Sequence, residues 1–189
     1  LDYSGSCPAL LLEPQRTNVA THSEYFGAWN TRGTASVTDN QGLSPEGVLN
    51  AALLDFGSTT SGANRIDLEP SISAGTDYVF SVFVKNIDAN RIGIRNYNST
   101  KDAIANFDFS SASFTDTNIN VIDTIVEPYD NDWYRIGIVF NSGVDTTADM
   151  RINPDTTSGS DGEQIYIYGA TFESGSYPTS YIPTYGSSV

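Results

Sequence analysis

Between Asp77 and Lys85 the chain reads Asp-Tyr-Val-Phe-Ser-Val-Phe-Val-Lys, a run in which β-branched and aromatic residues alternate with period two. Successive side chains of a strand point to opposite faces, so Tyr78, Phe80, Val82 and Val84 share one side and Val79, Ser81, Phe83 and Lys85 the other. The first set makes a core face. The second carries a ring, a hydroxyl and a cation, the ingredients of a binding surface. Arg91-Ile-Gly-Ile-Arg95 follows at hairpin distance and repeats the split, with Ile92 and Ile94 inward and Arg91, Gly93 and Arg95 outward. The expectation is that these two strands lie side by side in one sheet.

The same reading extends along the chain. Segments 34–38, 50–56, 64–69, 103–109, 119–127, 133–141, 148–153 and 164–173 have strand composition and are bounded by Asn, Asp, Gly or Ser clusters, among them Asp39-Asn-Gln-Gly42 and Gly57 to Gly62. The apolar run Ala9 to Leu12 adds another strand near the start. No stretch sustains a 3.6-residue apolar period with caps at both ends, so helices are expected to be short or absent. About ten short strands without an internal repeat predict an all-β fold, a two-sheet antiparallel β-sandwich of jelly-roll type. Residues 1–173 are assigned to the sandwich. Residues 174–189 hold Pro178 and Pro183, which exclude a central strand, so this segment is expected to lie extended over the sandwich or to lead into a following domain.

With 9 basic against 23 acidic residues the net charge is −14. That balance repels nucleic acid phosphates and anionic membranes, and it argues first for solubility. The apolar runs are too short to cross a bilayer. No signal-peptide pattern opens the chain, and a first residue of Leu favours a piece of something longer. Cys7 is the single cysteine, which excludes an internal disulfide and a Cys-rich zinc site.

Little in the sequence points to catalysis. His22 is the single histidine and no Gly-x-Ser-x-Gly motif accompanies it, so it reads as a surface or packing residue. The acids Asp149, Asp155, Asp161 and Glu163 miss the spacing of a calcium loop. Asn98-Ser-Thr100 is a formal glycosylation sequon without other support. Carboxylate pairs for glycoside hydrolysis are offered by any chain this acidic, so a glycan hydrolase or lyase stands only as a third possibility.

Three motifs carry a family resemblance: Pro8-Ala-Leu-Leu-Leu-Glu-Pro-Gln-Arg-Thr-Asn18 with Ser23-Glu-Tyr-Phe26 and Trp29; Asp132-Trp-Tyr-Arg135; and the closing run from Tyr166 to Thr184. In this order they resemble the jelly-roll, galactose-binding-domain-like modules of phage tail proteins and secreted polysaccharide-degrading enzymes. The resemblance implies a carbohydrate-binding-module sandwich, an extracellular or virion-surface setting and neighbouring domains in a longer parent chain. It requires no cofactor. Related sugar-binding sandwiches often hold a structural calcium between their first and last strands, and Glu13 and Glu173 are the residues of the matching signatures that offer carboxylates for one.

Strand parity also assigns outward residues elsewhere: Arg65, Asp67 and Glu69; Trp133 and Arg135; Arg151 and Asn153; Tyr166 and Tyr168. Six of the nine basic residues thus fall on non-core faces. Two readings follow. Either these are ordinary solvated charges divided between two outer faces, or Phe83, Lys85, Arg91, Arg95, Tyr97, Trp133, Arg135, Tyr166 and Tyr168 line one glycan platform, with rings stacking on sugars and guanidinium forks bonding hydroxyls, uronates or sulfates. The functional expectation is a non-catalytic module that attaches its parent protein to a polysaccharide, with an acidic glycan suggested by Lys85, Arg91 and Arg95. A structural or assembly domain of a tail fibre or cell-surface protein is the alternative.

Overall fold

The computed structural model describes residues 13–57, 63–98, 101–154 and 163–189. Twelve strands run through them: β1 (Asn30–Arg32), β2 (Ser36–Leu43), β3 (Leu49–Asp55), β4 (Arg65–Leu68), β5 (Asp77–Asn86), β6 (Arg91–Asn96), β7 (Ala103–Asp108), β8 (Ser113–Thr117), β9 (Val121–Tyr129), β10 (Trp133–Asn141), β11 (Met150–Pro154) and β12 (Gln164–Ser174). The one helical element among the described residues is a 3₁₀ turn, Phe26–Ala28, whose Phe26 and Gly27 N–H groups donate to the Asp39 carboxylate at 3.0 and 3.1 Å.

The strands form two six-stranded antiparallel sheets, in the orders β1-β4-β11-β6-β7-β8 and β2-β3-β12-β5-β10-β9. The fold is the all-β sandwich. Phe80, Val82, Val84, Ile92, Ile94, Ile136 and Ile138 are all fully buried in the core between the sheets, joined by Leu54, Ile66, Phe107, Ile152, Ile165 and Phe172. Each large apolar side chain buried there contributes about 1.5–3 kcal/mol relative to leaving it in water.

The structure corrects one consequence drawn from the alternation. β5 and β6 are consecutive, but the short link between them crosses from one sheet to the other, and β5 pairs with β10 and β12 while β6 pairs with β7 and β11. The in/out split is right for both strands, yet the two outward sets lie on opposite sides of the molecule. Two further differences have local causes. Asp39 to Gly42 lies within β2, where Asn40 takes φ 59° and the register with β3 shifts, so turn-like residues make a bulge rather than a strand end. β8, Ser113–Thr117, is an edge strand of exposed and half-buried residues with no apolar alternation to mark it. The 9–12 strand, Cys7, Asp155, Asp161 and the Ser99-Thr100 part of the sequon lie outside the described residues.

β12 carries the irregularity that matters most. Tyr168 pairs with Phe83 but Thr171 pairs with Ser81, so Gly169 and Ala170 together oppose one residue of β5. Gly169 takes φ +60°, and a Cβ there would come within 2.9 Å of the Phe83 ring. This bulge reverses the parity of the strand. Ile165 and Ile167 point inward before it and Ala170 and Phe172 after it, which leaves Tyr166, Tyr168, Thr171 and Glu173 on the outer face.

Candidate functional site

The outer face of the β2-β3-β12-β5-β10-β9 sheet is built in cross-strand rows. Tyr129, Trp133, Lys85 and Tyr166 form one row, and Glu127, Arg135, Phe83 and Tyr168 the next. Six of the nine expected site residues are therefore brought together here. They are not laid open, however: Phe83, Trp133, Arg135 and Tyr168 are all buried. Trp133 enters from a turn in which Asn131 and Asp132 take positive φ, as these residue types tolerate, and its Nε1 donates to the Leu43 carbonyl at 3.2 Å. With Ala51, Phe83 and Tyr168 it forms a second apolar cluster outside the main core. Lys85 sits beside it, over a small hollow of about 180 Å³ under the β2–β3 turn.

The roof over this face is the C-terminal segment, held down by the residues that follow Glu13. Asn18 is fully buried; its Nδ2 donates to the carbonyls of Ala170 and Ile182 at 3.0 and 2.7 Å, and its Oδ1 accepts from the N–H groups of Ala20 and Phe172. Glu173, also fully buried, accepts from the Thr179 N–H and Oγ1, each at 2.7 Å, with the Arg16 guanidinium 4.0 Å away. Glu13 accepts from the Ser180 N–H and hydroxyl at 3.0–3.1 Å. Arg16 also donates to the Tyr177 carbonyl at 2.8 Å and lies 4.4 Å over its ring. Further along, Ser23 Oγ and Tyr181 Oη are 2.8 Å apart, and Glu24 accepts from the hydroxyls of Tyr168 and Tyr181 at 3.2 and 3.0 Å. Burial, reinforced by Glu24, raises both phenol pKa values far above the ordinary tyrosine range.

The opening and closing motifs are thus the two halves of a clamp. That assigns physical roles to their polar residues, and it bears on the expected calcium site. The oxygens of Glu13 and Glu173 face N–H and O–H donors, with a guanidinium near Glu173, a donor set that suits a carboxylate and not a cation. Among the described residues the acids that do converge are Asp67, Glu69 and Asp149, but Asp67 already accepts from Arg32 and Asn30 and lies 3.2 Å from Arg65.

Beside the clamp the roof stops short and a cleft of about 460 Å³ remains, lined by Glu127 and Tyr129 of β9, Arg135 of β10, and Glu13, Ser180 and Tyr181 of the clamp. Its size is that of a small-molecule site. Arg135 is 3% exposed. Its Nε donates to Ser81 Oγ at 3.2 Å, its Nη1 is 3.7 Å from Glu127, and its Nη2 has no hydrogen-bond partner among the described residues. Phe83 lies behind the cleft, in T-shaped contact with Tyr129 at 5.0 Å and Tyr181 at 5.9 Å. Burial, followed by the charge of Glu127, raises the Tyr129 phenol above its ordinary pKa. Rings, an arginine and carboxylates converge on one hollow, an arrangement able to stack against and hydrogen-bond a polyhydroxylated ligand.

The remaining three expected residues are on the opposite outer face. There Arg91 pairs with Asp116 and Asp108, Arg95 with Asp102, and Arg151 with Asp149. Tyr97 lies between two of these guanidinium groups, 4.6 Å from Arg95 and 3.9 Å from Arg151. The expected grouping of Lys85, Arg91 and Arg95 for an acidic glycan is therefore corrected twice: Lys85 is on the other side of the sandwich, and each arginine has an aspartate beside it. The His22 carbonyl accepts from Trp29 Nε1 at 2.9 Å, and its ring makes a T-shaped contact with Tyr25. Glu127, Tyr129 and Tyr181 were not singled out by sequence. Glu127 and Tyr129 lie on an edge strand with half-buried and exposed residues on both sides, and Tyr181 follows the last strand, so neither had an alternation to carry it.

No family model matches this sequence, and no curated protein does. Among solved structures the chain is similar to TmCBM61 in complex with β-1,4-galactotriose, at 12% identity over 82% of this chain and 97% of that one, with a TM-score of 0.49. It is also similar to the CBM22-1 xylan-binding domain of Paenibacillus barcinonensis Xyn10C, at 10% identity over 86% and 94%, TM-score 0.49. A third is the enzymatically active domain of bacteriophage CBA120 tailspike protein 4, at 13% identity over 83% of this chain but 21% of that one, TM-score 0.44. Each is a likeness of fold alone.

Proposed function

We propose that this chain is a non-catalytic carbohydrate-binding module that holds a longer parent protein on a polysaccharide outside the cell, as part of a secreted enzyme or a virion surface. The observation that carries the reading is the cleft beside the clamp, where Tyr129 and Tyr181 supply ring surface and Arg135 and Glu127 supply charged hydrogen-bonding groups. Rings stack on the apolar faces of sugars and the polar groups fix hydroxyls, so affinity arises without a reaction. A glycan array tests it, with sugar-release assays on the same polysaccharides: the expected result is binding without new reducing ends. An array without hits would reject it, and release abolished by Glu127→Gln would make the protein a hydrolase.

A second reading, an assembly domain, is favoured by one specific feature. Leu43, Val48 and Leu49 are neighbours on the β2–β3 hairpin and each is more than half exposed, an apolar tip that suits contact with another chain or domain. Size-exclusion mass at rising concentration tests it; a monomer throughout, unchanged by Leu49→Ser, would dismiss self-association through the tip.

A further inference from the structure

We propose that the cleft takes a neutral sugar residue rather than a uronate or sulfated one, with Glu127 as the acceptor of its hydroxyls and Tyr129 as the ring it lies against; this rests on the glycan-binding reading above. The charge lining the cleft decides the matter. Among the described residues that line it are two carboxylates, Glu13 and Glu127, and a single guanidinium, Arg135. Arg135 is already 3.7 Å from Glu127, so an incoming anion would compete with that carboxylate for the one cation and meet the repulsion of both. The chain's net charge of −14 acts in the same direction. Arg91 and Arg95, which with Lys85 suggested an acidic ligand, lie across the sandwich, each beside an aspartate.

A neutral sugar meets none of this opposition. Glu13 has both oxygens engaged by Ser180, whereas Glu127 has a side chain 43% exposed, and 3.7 Å to Arg135 is a charge contact longer than a hydrogen bond. Its oxygens are available to a pair of sugar hydroxyls, which donate to a carboxylate more strongly than to a neutral acceptor. Tyr129 is 44% exposed and makes a T-shaped contact with Phe83, so its ring packs on the sheet while remaining open to a ligand.

The test is calorimetry with neutral β-1,4-linked galacto-, xylo- and gluco-oligosaccharides and with oligogalacturonate, at low and high salt. The expected result is binding of at least one neutral oligosaccharide, with a Kd unchanged by salt and weakened about tenfold or more by Glu127→Gln and by Tyr129→Ala, while both variants keep the parent circular-dichroism spectrum at the temperature of the titration. Arg95→Ala should bind as the parent does. Tighter binding of oligogalacturonate that fades with salt, or neutral binding that survives both substitutions together, would overturn the inference and leave the glycan-binding reading standing. Binding of neither class at saturating concentration would sink both.

Discussion

The two outer faces of the sandwich begin from the same sequence pattern and end differently. On the β4-β11-β6 face the outward residues include arginines that each have an aspartate beside them, Arg95 with Asp102 and Arg151 with Asp149. On the β12-β5-β10 face the outward residues include four large rings: Trp133 bonds Leu43 of β2 and clusters with Ala51 of β3, Tyr166 lies against Gly42, and Tyr181 of the C-terminal segment packs on Phe83 and Tyr168 beside the cleft. Strand parity tells which way a side chain points. It does not tell whether solvent, a partner charge or another segment waits there, and the last of these depends on residues some 160 positions apart, such as Asn18 and Ile182.

The contrast is most strongly tested by unfastening the roof. Asn18→Ala removes four hydrogen bonds from a fully buried site and leaves the carbonyls of Ala170 and Ile182 and the N–H of Phe172 unpaired, so a loss of about 3 kcal/mol in urea unfolding is expected. Glu173→Ala should behave alike and also cost glycan affinity, since it frees Thr179 beside the cleft. A stability near that of the parent would mean the clamp is ornamental. Next in size is Gly169→Ala, which places a Cβ against Phe83 at a positive φ and should cost about 1–3 kcal/mol by the same measurement.

The opposite face should respond far less. Arg95→Ala breaks a part-exposed pair, worth about 0.2–1 kcal/mol, and leaves glycan binding untouched. Smallest of all is a pH effect at Asp108. The Ser110 hydroxyl, then its N–H and that of Ser111, and the charge of Arg91 hold this carboxyl below its ordinary pKa. A folded value below the unfolded one means that its contribution is complete above the unfolded value and is lost as pH falls through the folded one. Carboxyl NMR titration should place its midpoint below that of an unstructured aspartate, and Asp108→Asn should flatten stability in the acid range only.

Much of this fold was legible in the sequence because Phe80, Val82, Val84, Ile92 and Ile94 alternate where both strand faces differ in polarity. Sheet membership was not, because the four residues between β5 and β6 read the same whether the chain turns back or crosses over. Of the site, Arg135 and Phe83 were visible through parity. Glu127, Tyr129 and Tyr181 were not, since what recommends them is where the clamp leaves its edge, a fact of tertiary contact alone. Trp133 shows the opposite error, an outward aromatic whose position against Leu43 and Ala51 makes it packing rather than platform.

Chemical-shift mapping decides most directly between the two faces. With amide resonances followed during titration of a bound neutral oligosaccharide, the largest perturbations are expected on Glu127, Tyr129, Arg135, Ser180 and Tyr181. Perturbations centred on Arg91, Arg95, Tyr97 and Arg151, with the cleft silent, would contradict that expectation.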